Sequence, residues 1–321
     1  MFTEGAVARE HVELLFRVAR LYHEDGASQA DIAGIVGYSR PTVSRLLAEA
    51  KARRMVTVTV SHPLERVLEN EVQLQRRFPH VKVRVASHEQ IPTSANVGRL
   101  AAVTLVEAGT PGCVVALSNG VSLKALVDAM PRQRWPSTVV TQIIGSLGRP
   151  SELLIDSPVL CGRLSRALGG TYRPLPVPLV MSTVEAAQSV LKEELVITTF
   201  ELAARSDVAL VGVGAVSPRG RSSGILEPYL TPTIESEIRR GKAVAHICGH
   251  HIDAKGRHVP TSLCERTITM DPERLAGVGL AMVIAWGAQK VPAIDAVLRS
   301  GWVNGLVTDE ATAWLLLSYE P

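Results

Sequence analysis

Aromatic residues make up only 4% of this 321-residue chain, too few for the row of stacking platforms on which single-stranded nucleic acid lies. Cysteine is nearly as scarce. Cys113, Cys161, Cys248 and Cys264 stand far apart with no tight pairing, so no disulfide framework is expected and a reducing compartment fits. No long hydrophobic run is present. The longest, 275–286, is about 12 residues, well short of the ~20 that span a bilayer. The start, MFTEGAVARE, is polar and carries no secretory pattern, so a cytoplasmic protein is expected. Excess charge is also missing: 34 Lys and Arg against 31 Asp and Glu give +3. Only a local patch, not a field over the whole surface, can attract nucleic acid. There is no internal repeat, no low-complexity tract, no phosphate-binding P-loop and no Ser-His-Asp arrangement in a supporting context.

What is present is 46% apolar residues, ample for a core, and a length that implies two domains. The most informative stretch is 28–54, SQADIAGIVGYSRPTVSRLLAEAKARR. Ser28 can cap a first helix, with Asp31 three residues on. Ile32, Ile35 and Val36 predict one apolar face. Gly37 can take the left-handed conformation that ends a helix. Ser39 can cap a second helix, and Pro41 is tolerated in a first turn whose N–H groups have no helical partner. Val43, Leu46, Leu47 and Ala50 form its buried face; Arg40, Pro41, Ser44 and Arg45 lie opposite. Between Ser39 and Arg54, Arg40, Arg45, Lys51, Arg53 and Arg54 face Glu49 alone, a net of +4 (5 minus 1). Two short helices about a glycine break, the second basic, are the plan of a helix-turn-helix DNA reader. Its candidate DNA-binding residues are Gln29, Ser39, Arg40, Pro41, Thr42, Ser44, Arg45, Lys51 and Arg53. The alternation in 55–60, MVTVTV, predicts a short wing strand. The reader is expected over 1–60, with a body over 61–321 that controls it.

In the body, 62–78 is spaced as an amphipathic helix. Strands are then expected at 81–86, 113–117, 139–144, 209–213, 243–247, 278–285 and 303–307. Helices are expected at 95–108, 122–129, 157–168, 293–299 and 309–317. Apolar strands interleaved with helices predict an α/β body, a Rossmann-like, mostly parallel sheet covered on both faces. Ligands of such sheets bind beyond the carboxyl ends of the strands. Five strand ends carry small or hydrogen-bonding residues: Ser118-Asn119-Gly120-Val121-Ser122, Gly145-Ser146, Gly212-Val213-Gly214, Gly287 to Lys290, and Asp309-Glu310. Backbone N–H groups at 118–122 and the following helix start suit an anion, and Lys290 is placed as a point charge for phosphate. The set predicts an anionic, polyhydroxylated effector. A second cluster, His246, Cys248, His250, His251, Asp253, His258 and Cys264, has residue types that suit zinc. Its C-x-H-H spacing matches no standard structural site. These residues read as surface histidines beside the turn 253–256, and no metal or other cofactor is expected.

The chain resembles the SorC family of sugar-binding bacterial transcriptional regulators over nearly its full length. The resemblance is carried by the segment from 28 to 60, ALSNGVSLKAL (116–126), SDVALVGVGAV (206–216), HICGHHIDAKGR (246–257), WGAQK (286–290) and VNGLVTDEATA (303–313). It implies an effector domain like the sugar-phosphate isomerases but without turnover, a homo-oligomer (dimer or tetramer), operator DNA as one partner, and a sugar, polyol or sugar-phosphate effector. It also adds Leu123 and His246 to the effector-binding candidates. The family's first loop reads G-T-T/S-L; here it is Gly120-Val121-Ser122-Leu123, one hydroxyl fewer. Ser146 replaces the second of a glycine pair, and Ile144 stands where some relatives carry a Schiff-base lysine, so covalent capture is not implied. Ala245-His246-Ile247 replaces a G-D-I pattern, and Trp286 replaces the first glycine of G-G-x-x-K. These departures imply a different ligand, such as a polyol or its phosphate. Two other functions remain open at this level. One is a sugar-phosphate isomerase with Asp309 or Glu310 as base, which lacks a clear acid–base partner. The other is an architectural DNA binder whose body only oligomerises.

Overall fold

The computed structural model describes residues 3–53, 55–56, 63–88, 91–220, 222 and 224–321. The chain divides into two compact units, Met1–Ser61 and His62–Pro321.

In the first unit, α1 (Thr3–His23) is followed by α2 (Gln29–Val36) and α3 (Arg40–Ala52). The Ser28 hydroxyl accepts from the Asp31 N–H at 3.3 Å, and the Asp31 carboxylate accepts from the Ser28 N–H at 3.2 Å. That reciprocal pair closes a capping box. Gly37 ends α2 at φ 75°, a conformation that costs a residue with a Cβ about 1–2 kcal/mol. Ser39 accepts from the Thr42 N–H at the start of α3. Leu15, Val18 and Ala19 of α1 close the core over Ile32, Val43, Leu46 and Ala50. Two residues depart from the sequence reading. Ile35 is 51% exposed, and Leu47 is only half-buried. α2 is two turns long and meets the core along Ile32 and Val36, an i, i+4 stripe, which leaves Ile35 on the flank. Met55 and Val56 pack against this core without forming a strand. Arg54 and residues 57–60 of the expected wing lie outside the described residues.

The second unit opens with α4 (Pro63–Arg77). Its strands and helices then run β1 (Lys82–Ala86), α5 (Thr93–Ala108), β2 (Val114–Leu117), α6 (Val121–Ala129), β3 (Val139–Gln142), α7 (Ser157–Leu168), β4 (Thr171–Arg173), α8 (Val184–Val190), α9 (Glu194–Ala204) and β5 (Val208–Val211). They continue β6 (Gly214–Ala215), α10 (Pro232–Arg240), β7 (Ala243–Ile247), β8 (His250–Asp253), β9 (His258–Val259), β10 (Leu280–Ile284), α11 (Val291–Arg299), β11 (Gly305–Asp309) and α12 (Glu310–Ser318).

Seven strands form one parallel sheet in the order β1-β11-β10-β5-β2-β3-β4. Burial follows position in it. Central β5 (VALV) and β10 (LAMVI) are buried at every residue, whereas edge β1 (KVRVA) keeps exposed positions. That is the expectation for a sheet covered on both faces. The period of two sorts side chains between two cores. Ala209 and Val211 of β5, with Ala281 and Val283 of β10, face α4, α9, α11 and α12. Val208, Leu210, Leu280, Met282 and Ile284 face α5, α6 and α7.

Strand order reverses between β2 and β5. From β2 the chain winds outward through β3 to β4; it then returns to β5 and winds the other way through β10 to β11. Crossovers leave opposite faces there and open a crevice.

The sequence reading counted 243–247 among the interleaved strands. Instead β7 belongs to a separate antiparallel sheet, β6-β7-β8-β9. β7 turns into β8 through Cys248 and Gly249, at φ 48° and 84°, the paired positive angles of a tight hairpin turn. A parallel partner would need a long crossover, and two residues do not allow one. Among the described residues no helix is long and apolar enough to cross a membrane.

Candidate functional site

A cleft lies at the reversal point. Its wall comprises the loop 118–123 after β2, Gly212 to Gly214 after β5, Gly224 and Ile225, His246 and Cys248 from β7 and its turn, and Lys290 after β10. Eight of the sequence candidates, Ser118 to Leu123 with Gly212 and Gly214, therefore meet with His246 and Lys290, from four separate segments. Val213, Gly224, Ile225 and Cys248 were not anticipated as binding residues.

The floor is polar and buried. Ser118 is 4% exposed, Asn119 4% and Ser122 5%. Both the amide nitrogen and the amide oxygen of Asn119 are buried without a hydrogen-bond partner among the described residues. Leaving such groups unpaired costs about 1–3 kcal/mol each, so a partner arriving in the cleft gains what folding left unmet. The Ser118 N–H donates to the Leu210 carbonyl at 3.0 Å and the Gly120 N–H to the Ile155 carbonyl at 2.9 Å. Those two amides are thus committed to the fold, contrary to the expectation that the whole loop offers its N–H groups. The donors left for an anion are in the first turn of α6, at Val121, Ser122 and Leu123, where a helix has no internal acceptors and no side chain caps the end.

Lys290 ends a short turn, Ala288–Lys290. Its ammonium is half-buried, and burial holds its pKa below the usual lysine value. Among the described residues no acidic side chain pairs with it. The cleft wall contains no Asp or Glu among the described residues. His246 packs so closely on Gly214 that a Cβ there would lie 1.8 Å from its Nε2; only glycine at 214 lets the imidazole stand at the wall. Cys248 is buried, which pushes its thiol up to about 12, so it presents an uncharged sulfur rather than a nucleophile.

Other candidates are not part of this wall. Gly145 donates its N–H to Ile268, and the Ser146 hydroxyl donates to Asp156 at 2.5 Å; this loop is tied to the segment at 178 instead. Asp309 caps α12 by accepting from the Thr312 N–H at 2.7 Å, and Glu310 pairs with Arg66 at 3.1 Å. Gly287 donates to the Thr312 hydroxyl at 2.8 Å. Its part is to shape the turn that presents Lys290. All of these lie at the carboxyl edge of the sheet, as a parallel sheet requires. The crevice, however, opens at one point along that edge, and β3 and β11 end away from it.

Two of the clustered histidines are buried, while His250 is half-buried and His258 exposed. His246 is 3% exposed and His251 fully buried. Burial pushes His251 down to about 3, and its Nε2 is 2.6 Å from the Ser222 hydroxyl. The expectation of solvated histidines beside a turn holds for His258 but fails for His246 and His251, which β7 and β8 place on the inner face of the second sheet.

In the first unit, Ser39, Arg40, Pro41, Ser44, Arg45, Lys51 and Arg53 are exposed, with Gln29 and Thr42 half-buried. Arg40 and Arg45 stand at the amino-terminal end of α3, free of acidic partners among the described residues. Arg53 is paired with Glu49 at 2.6 Å, which leaves it less available to phosphate.

Residues 62–318 match a family model described as "putative sugar-binding domain". The transcriptional regulator LsrR of Escherichia coli (strain K12) is 30% identical over 313 residues, covering 95% of this chain and 94% of that one. The erythritol catabolism regulatory protein EryD of Brucella abortus (strain 2308) is 29% identical, covering 95% and 96%. The full-length sorbitol operon regulator SorC of Klebsiella pneumoniae superposes with a TM-score of 0.73 at 25% identity, over 96% of this chain and 99% of that one.

Proposed function

The chain belongs to the SorC family of sugar-binding transcriptional regulators, and from that premise we propose which residues carry its two activities. It is a sugar-responsive transcriptional regulator. The effector site is the cleft between β2 and β5. Asn119 holds ligand hydroxyls, and Lys290 with the first-turn amides of α6 holds a phosphate. The observation that carries this reading is the buried, unpartnered Asn119 amide at the reversal point of the sheet. The effector class is therefore a phosphorylated sugar or polyol. Operator DNA is read by the exposed amino-terminal face of α3. One such helix spans a half-site, so a homo-oligomer, dimer or tetramer, pairs the readers.

The test is a titration of sugar and polyol phosphates, and of their neutral parents, against operator binding at fixed salt. At least one phosphorylated ligand should shift operator affinity by about 5–150-fold. No shift from any of them would remove the assigned effector class. A regulator rather than an isomerase is favoured because the cleft wall carries no carboxylate among the described residues, and Asp309 and Glu310 are engaged outside it, in the α12 cap and with Arg66. Turnover of a pentose or hexose phosphate would reverse that reading.

On the DNA side, Arg45→Ala should reduce discrimination at one operator base pair by roughly 1–3 kcal/mol, read by competition between operators altered at single positions. A uniform loss on all sequences, with a shallower salt dependence, would place Arg45 on a phosphate instead.

A further inference from the structure

Away from the effector cleft, the second sheet gathers three side chains of metal-binding type. His250 lies on β8, His258 on β9 and Cys264 on the turn Cys264–Arg266. β8 and β9 pair antiparallel with Ile252 opposite His258, so His250 and His258 are diagonal neighbours on one face. The His250 Nδ1 and His258 Nε2 atoms are 3.1 Å apart. A ligating atom from each histidine and the Cys264 sulfur all lie within 4.8 Å of one another. Tetrahedral zinc holds two imidazole nitrogens roughly 3.4 Å apart and a nitrogen and a thiolate roughly 3.6 Å apart. The histidines already meet that spacing, and rotation of the Cys264 side chain closes the remainder.

We infer that His250, His258 and Cys264 form a binding site for a borderline-soft divalent cation of the zinc type, with the fourth position open to the cavity. The three residues line a surface cavity together with Asp271 and Glu265. The Cys264 thiolate, with the Asp271 carboxylate on the same cavity, balances a dication, as a partly buried site needs. The Thr261 N–H donates to the Cys264 sulfur at 3.2 Å, and the Cys264 thiol donates to the Thr261 carbonyl at 3.0 Å. On binding, the thiol releases its proton to solvent and gives up the second bond, and the first remains to orient the thiolate. Three protein ligands from three elements, with the cavity on the open side, make an exchangeable site rather than a closed structural one. His250 follows the Cys248-Gly249 turn, and Cys248 lines the effector cleft. An ion here would brace the turn beside the effector.

The test uses the full, tag-free chain and cobalt(II) as the probe. One equivalent should bind per chain and give a thiolate-to-cobalt charge-transfer absorption that zinc displaces. Cys264→Ser should abolish that absorption, and Cys113→Ser, just before β2, should leave it. His258 is exposed, so His258→Ala should fold normally by circular dichroism and weaken zinc by more than about 100-fold against a chromophoric chelator. Absence of thiolate absorption in the parent chain, its survival in Cys264→Ser, or unchanged affinity in His258→Ala would each overturn the site.

Discussion

Lys290→Ala is expected to weaken a phosphorylated effector by roughly 100-fold while leaving its neutral parent within a few-fold. The ammonium is half-buried and has lost hydration, as its lowered pKa records. No carboxylate on the cleft wall offsets that loss among the described residues. A phosphate entering the cleft supplies the missing countercharge. A hydrogen bond to a charged group is worth about 1.5–3 kcal/mol net, and a factor of ten corresponds to ~1.4 kcal/mol. The upper half of that range applies because the site is sheltered. A neutral sugar touches the same floor through Asn119 and gains nothing from the ammonium. Calorimetric titration of both ligand classes against both proteins separates the outcomes. Equal weakening of the two would mean that Lys290 shapes the cleft without meeting phosphate, and Lys290→Arg would then fail to restore binding.

The sequence made Lys290 a candidate through its place after a strand, and it showed the reader through caps, break and charge within one short window. Those signals are local: Ser28, Gly37, Ser39 and Pro41 each act within a turn of themselves. The parallel sheet was legible for a similar reason, since β2, β5 and β10 are short apolar runs. Which strand ends converge is a different kind of fact. Ser118 to Ser122 and Gly145-Ser146 look equally suited to a ligand, yet only the first borders the crevice. That choice depends on β5 pairing with β2 rather than β4, across some 90 residues of chain, and no single segment encodes it. The buried state of Asn119 is hidden likewise, because its cleft is walled by residues as distant in the chain as Gly224, His246 and Lys290. The second sheet escaped notice because β8 and β9 are short and rich in histidine, with none of the apolar alternation that marks a strand. Exposed Ile35 shows the same limit on a small scale. Its period is right for a buried face, but α1, which sets where the core lies, carries no comparable motif.

Asp295→Ala is expected to cost the second unit about 3 kcal/mol, a fall in melting temperature of roughly 6–12 °C for a domain of this size. Asp295 is 1% exposed on α11. It accepts from Arg77 of α4 at 2.8 Å and from Arg299 at 2.6 Å. Arg77 also donates to the carbonyls of Leu316, Leu317 and Tyr319 at the end of α12. One guanidinium thus closes the carboxyl end of α12 and ties it to α4 and α11, and both guanidiniums lie within 6 Å of the Phe78 ring centroid, at 5.4 and 5.9 Å. Removing the carboxylate leaves two cations facing each other over an apolar ring. Breaking a buried pair in this way costs about 3–5 kcal/mol. Arg299 is 37% exposed and recovers some hydration, so the lower end applies. The loss belongs to unpaired charge rather than to the pair's own strength, so the same substitution in an Arg77→Leu background should cost at least about 1 kcal/mol less. α11 begins beside Lys290 at the effector cleft, and Asp295 lies at its midpoint with its carboxylate held by Arg77 and Arg299. Effector affinity measured well below the lowered melting point should therefore stay within a few-fold. A single-mutant cost under about 1 kcal/mol would show that solvent reaches both arginines and that the network is ornamental to the fold.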